Sequence, residues 1–331
     1  MFNPEEYLYN LVTYKIKGPL AVFLRGCLFV LSCFYGLVVV ILAGCYRIRP
    51  VRFKAKVISV GNITLGGTGK TTFVGYLCGR LNLAVNNIAV LSRGYKRNTR
   101  RQGTQGLGDE PAMLQKKLPF VHVVVDKDRI KAAFRAIKDY AADTLILDDG
   151  LQQWRIYKDL EIVTIDAQNP FGNYRILPAG FLREPISALK RADIFVLTQV
   201  DCVIDTGDLV LKLKRINPGA LIVESVHKPE GFSGVDKPGE LLSLDLFKGK
   251  SVAILSGIGN PQGFQNTVCS LGINIADSFQ FNDHHDYTQA DLDNIIRAVQ
   301  AGAPLLSGDG RSHRRAPGGA ARGSRAPGAR R

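Results

Sequence analysis

Hydrophobic residues along this chain occur in short, β-branched runs separated by longer stretches in which apolar and polar positions alternate with a helical period. Residues 129–140 are one example of such an amphipathic stretch. The strand-like runs lie at residues 56–60, 88–91, 121–125, 144–147, 160–165, 194–198 and 221–226. Strands that alternate with amphipathic helices are typical of a doubly wound, mostly parallel sheet. The sequence therefore predicts an α/β fold.

The pattern changes after residue 226, where residues 227–239 form a linker rich in Gly, Pro and Lys. Beyond it we expect a strand at residues 251–255 and helices near residues 263–271 and 289–301. Thr288 and Asp291 form a capping pattern for the last of these helices. We therefore predict a core domain over residues 51–228 and a second, smaller α/β domain over residues 229–303.

A stretch of 21 residues without a charged side chain, residues 26–46, precedes the core domain. As a helix it would be about 31 Å long, which is near the thickness of a bilayer's hydrocarbon core. Five basic residues follow it within residues 47–56, against three before it. This asymmetry predicts that the bulk of the chain stays on the cytoplasmic side of the membrane.

Two other interpretations of this segment are open. Residues 42–45 resemble a lipoprotein cleavage site, although the segment before the apolar stretch is long for a signal peptide. Arg25, Gly36 and Gly44 instead favour a buried helix or one that lies on the membrane surface. We predict a membrane anchor over residues 1–50, either as a true span or as a surface anchor.

Composition adds a strong positive charge, because the formal net charge of the 331-residue chain is +14. This charge favours anionic partners. Residues 304–331 carry seven arginines against one aspartate, contain no aromatic residue and are rich in Gly, Ala and Pro, so we predict a disordered basic tail there. The six cysteines show neither a disulfide framework nor metal-binding spacing, which indicates reduced thiols used as small hydrophobic residues.

The strongest chemical motif is GNITLGGTGKTT, residues 61–72, between a predicted strand and a predicted helix at residues 71–83. Glycines in such a turn let backbone N–H groups approach phosphate oxygens. Lys70 would contact the β- and γ-phosphates, and the Thr71 hydroxyl would ligate Mg²⁺. The strict phosphate-loop pattern fails at one position, where Thr64 replaces the first glycine. The predicted nucleotide-binding residues are Gly66, Gly67, Thr68, Gly69, Lys70, Thr71 and Thr72.

A second element of the site is the apolar strand at residues 144–147, which ends in Asp148, Asp149 and Gly150. In a parallel sheet these carboxylates would lie beside the phosphate loop, where they can hold Mg²⁺ or its waters. Together, the two motifs predict a P-loop nucleotide-binding domain with ATP and Mg²⁺ as its ligands.

Six sequence blocks, in this order, resemble the tetraacyldisaccharide 4'-kinase family. They are VGNITLGGTGKTT (60–72), LSRGYKR (91–97), GDEP (108–111), LDDGLQ (147–152), LPAGFLREP (177–185) and DHHDY (283–287). The resemblance extends from the N-terminal apolar segment to about residue 300. It implies an ATP-dependent kinase that phosphorylates the 4'-hydroxyl of tetraacyldisaccharide 1-phosphate, forming lipid IVA in lipid A biosynthesis. It also implies that this reaction occurs at the cytoplasmic face of the inner membrane.

The same resemblance implies a catalytic base. Asp109 of the GDEP block would accept the proton of the sugar hydroxyl, and His284 would work with it. His285 lies next to His284, so which of the two acts is open. If His284 and Asp109 act together, the site lies between two domains, whose closure would exclude water.

Further residues are implied to surround the phosphates. Arg183 and Arg129 match family positions near the transferred phosphate and the nucleotide, where guanidinium groups can stabilise phosphoryl oxygens. Glu110 would join Asp148 and Asp149 around Mg²⁺. The basic residues within 91–97 would meet the substrate's 1-phosphate or lipid headgroups.

The chain departs from the family pattern after residue 304. The family continues there into another strand and a closing helix, which residues 304–331 lack, so we predict that the smaller domain is incomplete. A shifted reading frame and a genuine basic tail are both open explanations.

The alternative function is a partitioning ATPase of the deviant Walker A type. That class requires a lysine where Leu65 stands. No recognition helix or aromatic stacking motif accompanies the basic tail, so we expect no nucleic-acid partner.

Overall fold

The computed structural model describes residues 4–84, 87–93, 109–226, 228–234, 240–258, 261–281, 288–300 and 304–307. It divides into two compact units, Met1–Pro229 and Glu230–Arg331. Each unit has its own parallel sheet and its own hydrophobic core.

The first unit starts with two helices and continues with strands and helices in alternation. Its elements are α1 (Pro4–Val12), α2 (Pro19–Ile48), β1 (Lys56–Gly61), α3 (Lys70–Leu81), β2 (Ile88–Ser92), α4 (Asp109–Lys117), β3 (Val121–Val125), α5 (Arg129–Tyr140), β4 (Thr144–Asp148), β5 (Leu160–Asp166), β6 (Ile194–Thr198), α6 (Gly207–Ile216) and β7 (Leu221–Glu224). Short 3-10 helices lie at Ile186–Arg191 and Val200–Cys202.

The seven strands form one parallel sheet in the order β3-β2-β4-β1-β5-β6-β7. The predicted α/β fold with a parallel sheet is therefore confirmed. β1 lies at the centre, with Val60 opposite Asp148 of β4 and Gly61 opposite Val163 of β5. Because all strands run in the same direction, the chain segments that follow β1, β4 and β5 meet at one edge of the sheet.

Helices cover both faces of this sheet, and β4 shows why. Leu145 and Leu147 pack with the alanine-rich face of α5 on one side, whereas Ile146 packs with residues of α3 and α4 on the other. All three β4 side chains are fully buried. A strand that is buried on both faces has a continuous run of apolar residues, as the sequence TLIL does.

The helix α2 is longer than the predicted apolar stretch and spans 30 residues. Within the described part of the chain it is the one helix long and apolar enough to cross a membrane, by length and composition. A narrow face of α2, made mostly of small residues, packs against the rest of the first unit. On this face, Ser32 Oγ donates a 2.7 Å hydrogen bond to the Ile176 carbonyl. The buried residues of α2 are Ala21, Ser32, Gly36, Val39 and Ala43.

The second unit is built on a three-stranded parallel sheet in the order β11-β10-β12. Its elements are a hairpin of β8 (Phe232–Ser233) and β9 (Leu241–Leu242), a 3-10 helix (Leu244–Phe247), β10 (Ser251–Ser256), α7 (Pro261–Ser270), β11 (Asn274–Gln280), α8 (Gln289–Gln300) and β12 (Leu305–Ser307). The predicted capping pair of α8 is confirmed, because Thr288 N and Oγ1 donate to Asp291 Oδ2 at 2.8 and 2.7 Å.

Two strands of the second unit differ from the prediction. The expected disordered tail over residues 304–331 is wrong for Leu305–Ser307, because these residues pair with β10 and Leu306 packs against the unit's core. The sequence therefore placed the end of the ordered domain too early. The strand β11 was not predicted, because its sequence contains several polar residues and does not show a clear strand pattern. Most of its side chains are exposed to solvent.

All six cysteines are unpaired, as predicted. Cys78 lies on the buried face of α3, and burial raises the pKa of its thiol to about 12. This side chain therefore serves as a small hydrophobic residue.

Candidate active site

The glycine-rich segment after β1 forms a turn that leads directly into α3. Gly66 and Gly69 have φ angles of 115° and 75°, in the left-handed region that favours glycine. A Cβ atom added at Gly66 or Gly67 would have no other atom within 4 Å, so the space beside the turn is open at both positions. The helix α3 has no side-chain N-cap, as expected where a bound anion completes the helix N-terminus. This turn therefore fits a phosphate group.

The departure from the strict glycine pattern has a structural explanation. Thr64 forms an antiparallel bridge with Leu182, an extended pairing that does not require glycine. The residue after Leu182 continues this pairing, because the Arg183 N–H donates a 2.8 Å hydrogen bond to the Ile63 carbonyl. Residues 181–183 thus pair with the start of the glycine turn, and this pairing brings the Arg183 side chain to the phosphate site.

Two buried threonines hold the turn in place. The hydroxyls of Thr68 and Thr164 lie 2.8 Å apart, and Thr198 Oγ1 donates to the Thr68 carbonyl at 3.2 Å. Thr164 and Thr198 belong to β5 and β6, so the sheet itself fixes the turn. Neither residue was predicted, because each lies in an apolar strand and its role depends on strand order.

The cationic groups of the site converge on two acceptors. Lys70 Nζ and Arg183 Nη1 both donate to Asn62 Oδ1, at 2.9 and 3.0 Å. Arg183 also forms a bidentate pair with Asp149, with both N–O distances at 2.7 Å. Lys70 Nζ lies 3.8 Å from Asp149 Oδ1. The structure thus brings together Lys70, Asp149 and Arg183, all three of which were predicted from the sequence.

Arg129 lies behind this cluster and is only 3% exposed. Its Nη1 donates to the Asp126 carbonyl at 2.7 Å and its Nη2 to the Asp148 carbonyl at 3.4 Å, while Nε is buried without a hydrogen-bond partner. Burial lowers the pKa of the Arg129 guanidinium, and Arg93 adds to this effect, while Asp148 and Asp149 oppose it.

A cavity of about 260 Å³ adjoins Arg129 rather than the glycine turn. Three cationic side chains line it against one carboxylate, and that carboxylate, from Asp128, already caps α5 by accepting a 3.0 Å hydrogen bond from the Ile130 N–H. The cavity is thus electropositive. Its lining residues are Lys127, Asp128, Arg129, Ile130, Gln153 and Arg155.

A buried carboxylate next to Arg183 connects two segments of the site through hydrogen bonds. Glu184, which follows Arg183 and is 1% exposed, accepts hydrogen bonds at its Oε1 from Gln152 (3.1 Å), Trp154 (3.3 Å) and Arg191 (2.9 Å). Because a buried charge requires several partners, Glu184 ties the segment after β4 to the segment that carries Arg183. In the sequence analysis this residue is only part of the LPAGFLREP block, with no role of its own.

The predicted metal ligands are placed unequally. Thr71 lies in the first turn of α3 and Asp148 ends β4, the strand beside β1, so both present oxygen donors suited to Mg²⁺. The Asp149 carboxylate is instead engaged by Arg183 and Lys70. Among the described residues, no three acidic, histidine or cysteine side chains form a ready-made metal cluster. Magnesium ions that bind nucleotides take most of their ligands from phosphates and water, which is consistent with this arrangement.

The remaining predicted catalytic residues cannot be placed at the site. Asp109 and Glu110 are the first residues of α4, but their side chains lie outside the description. His284 and His285 lie outside the described residues. Their roles stay predictions.

A central strand of a parallel sheet that leads through a glycine-rich turn into a helix, with a lysine at the start of that helix, defines a P-loop nucleotide-binding protein. The family model for the tetraacyldisaccharide-1-P 4'-kinases (LpxK) matches residues 24–307. The chain belongs to this family and is a kinase.

Individual relatives agree with this assignment. The chain is 35% identical to the tetraacyldisaccharide 4'-kinase of Halothermothrix orenii, covering 89% of this chain and 84% of that protein. It is 36% identical to the Desulfatibacillum aliphaticivorans enzyme, covering 83% and 79%. The crystal structure of LpxK from Aquifex aeolicus in complex with ATP has a TM-score of 0.66 at 29% identity, covering 86% of this chain and 88% of that one. The partitioning ATPase is not favoured.

The bidentate pair leads to a prediction for Arg183→Lys. A lysine keeps the charge, but its single nitrogen cannot form the two parallel hydrogen bonds with Asp149. We expect kcat to fall by about 100-fold, the cost typical of losing one well-placed donor, while the melting temperature changes little. Steady-state kinetics and thermal melting would measure both, and a kcat within threefold of wild type would contradict this role.

Proposed function

We propose that this chain transfers the γ-phosphate of ATP to the 4'-hydroxyl of a tetraacyldisaccharide 1-phosphate in lipid A biosynthesis. The observation that carries this proposal is the convergence of Lys70 and Arg183 beside the glycine turn, in a chain that belongs to this kinase family. Two cations that share a single carboxylate leave net positive charge where the β- and γ-phosphates of ATP would bind.

Different residues would bind the phosphates, neutralise the charge on the transferred group and hold the metal ion. Backbone N–H groups of the turn would bind the β-phosphate, and Lys70 and Arg183 would neutralise the charge that develops on the transferred phosphoryl group. Thr71 and Asp148, with Glu110 as predicted from the sequence, would hold Mg²⁺, which would supply positive charge to neutralise the phosphates.

The acceptor hydroxyl requires a base. As its oxygen bonds to the γ-phosphorus, the bond between this phosphorus and the β–γ bridging oxygen breaks, and ADP leaves. The hydroxyl proton passes to Asp109, and we propose that His284 assists this transfer. Both assignments rest on the family resemblance.

The substrate's acyl chains call for a membrane surface, and α2 supplies an apolar one. Several large hydrophobic residues of α2 are more than half exposed, among them Phe23 (67%) and Phe34 (65%). A continuous exposed surface of this kind marks a membrane or partner interface. Because the other face of α2 packs along the kinase unit, we propose that α2 lies in the membrane surface, with its exposed face toward the lipid, rather than crossing the bilayer. Basic residues follow it within residues 47–56, so we place the kinase on the cytoplasmic side.

The packing of α2 links this anchor to the site. Tyr35 Oη donates a 3.3 Å hydrogen bond to the Arg183 carbonyl, and Ser32 binds the Ile176 carbonyl in the same segment. An anchored α2 would therefore hold the residues that carry Arg183 close to the membrane surface. A lipid-linked hydroxyl could then reach the phosphate site without leaving the bilayer.

The transfer itself can be measured directly. Detergent-solubilised protein is incubated with Mg²⁺, ATP labelled at the γ-phosphate, and tetraacyldisaccharide 1-phosphate, and the lipid product is separated by chromatography. We expect label in the lipid with wild-type protein and at least 100-fold less with Lys70→Ala, because this lysine contacts the transferred phosphate. A rate of ATP hydrolysis that is unchanged by the lipid but increases when nucleic acid is added would instead support the partitioning ATPase.

The membrane proposal has its own test. Phe23→Glu with Phe34→Glu places two charges on the exposed face of α2 and leaves its buried face intact. We expect this variant to lose most of its co-flotation with vesicles of phosphatidylethanolamine and phosphatidylglycerol. Ile204→Glu, at a fully exposed position of the kinase unit, is the matched control and should float like wild type. Equal flotation of all three proteins would refute the assignment.

A further inference from the structure

Asn62 has an unusual position between the last residue of β1 and the glycine turn. Its side chain is completely buried. Nδ2 donates to the Thr64 carbonyl at 2.7 Å, while Oδ1 accepts from Lys70 and Arg183 at 2.9 and 3.0 Å. Because lysine and arginine side chains can only donate, the atom that faces both must be the amide oxygen.

The rest of the residue is also held in place. Gln152 Nε2 donates to the Asn62 carbonyl at 3.3 Å and to Glu184 Oε1 at 3.1 Å, and Glu184 directly follows Arg183. The asparagine is therefore part of the same buried network as the segment that carries the arginine. A side chain fixed at both its nitrogen and its backbone has little freedom to move with its partners.

Asn62 and Asp149, the two acceptors shared by Lys70 and Arg183, differ in charge and in exposure to solvent. Asp149 is negatively charged and its side chain is 41% exposed, so it partly cancels the charge of Lys70 and Arg183 and can exchange partners when a ligand binds. Asn62 is neutral and buried, so it orients both cations without reducing their charge. An acceptor of this kind preserves the full electrostatic pull on phosphoryl oxygens.

We propose that Asn62 is a positioning residue that holds Lys70 and Arg183 together, aimed at the β- and γ-phosphates of ATP. This inference rests on the proposed kinase function and assigns a role that the loop motif alone does not give. Without the amide oxygen, each cation loses one fixed acceptor, and both turn toward Asp149, where their charge is cancelled.

The test compares three single variants. Asn62→Ala removes the shared oxygen. Asn62→Asp keeps the shape of the side chain but adds a charge that pairs with both cations. Ser59→Ala is the matched control, since Ser59 is equally buried on β1 and its hydroxyl donates to Glu161 at 2.6 Å.

The readouts are kcat, the KM for ATP, the melting temperature and the affinity for ATP in the absence of lipid. The chain's single tryptophan, Trp154, donates its indole N–H to Glu184, next to Arg183, so we expect its fluorescence to change when ATP binds. We expect both Asn62 variants to lower kcat by about 10- to 100-fold, as loss of a residue that orients a ligand-binding group does, and to weaken ATP binding severalfold. Ser59→Ala should change only the melting temperature.

A double-mutant cycle separates positioning from a purely structural role. If Asn62 acts through Arg183, Asn62→Ala should cost much less in the Arg183→Ala background than in wild type. Fully multiplicative losses of kcat and ATP affinity would overturn the proposal. If Asn62→Ala does not fold, Asn62→Asp decides instead, and wild-type kcat and ATP affinity in that variant would overturn it.

The test of Asn62 can be separated from the test of the proposed kinase function. If wild-type protein binds ATP but transfers nothing to the lipid, the proposed function fails, while the fluorescence titrations still test Asn62. If transfer occurs and the Asn62 variants behave like Ser59→Ala, the kinase assignment stands and the positioning role is wrong.

Discussion

Repulsion between two like charges is the constraint around which this site is built. Lys70 and Arg183 both lie within 3.0 Å of a single amide oxygen, and Asp149 is the carboxylate they share. Two cations held this close, away from bulk water, repel each other unless acceptors or an anion lie between them. Two cations with one shared carboxylate keep a net positive charge, and we propose that the polyphosphate of ATP balances it.

The fold supplies the rigidity that this arrangement requires. Lys70 is fixed because it begins α3, directly after a turn held by threonines of β5 and β6. Arg183 is fixed by backbone pairing with the start of the same turn and by the buried partners of Glu184. The parallel sheet brings these segments to one edge, and α2 packs on the segment that carries Arg183.

Local patterns allowed much of this to be predicted. The glycine turn, the acids after β4 and the strand periodicity are encoded by neighbouring residues, so the core sheet and Lys70, Asp148 and Asp149 could be named from the sequence. The pairing of Arg183 with Asn62 joins residues 121 positions apart, and no local pattern reveals it. β12 was missed for a similar reason, since three residues before an arginine-rich segment gain strand structure only by pairing with β10.

The most direct test of the central claim is a crystal structure of the protein with Mg²⁺ and a non-hydrolysable ATP analogue. We expect the β-phosphate against the backbone N–H groups of Gly66–Gly69, with Lys70 Nζ and the Arg183 guanidinium both within hydrogen-bond distance of β- or γ-phosphate oxygens. A triphosphate bound in the cavity beside Lys127 and Arg155, with Lys70 and Arg183 still on Asp149, would contradict the account.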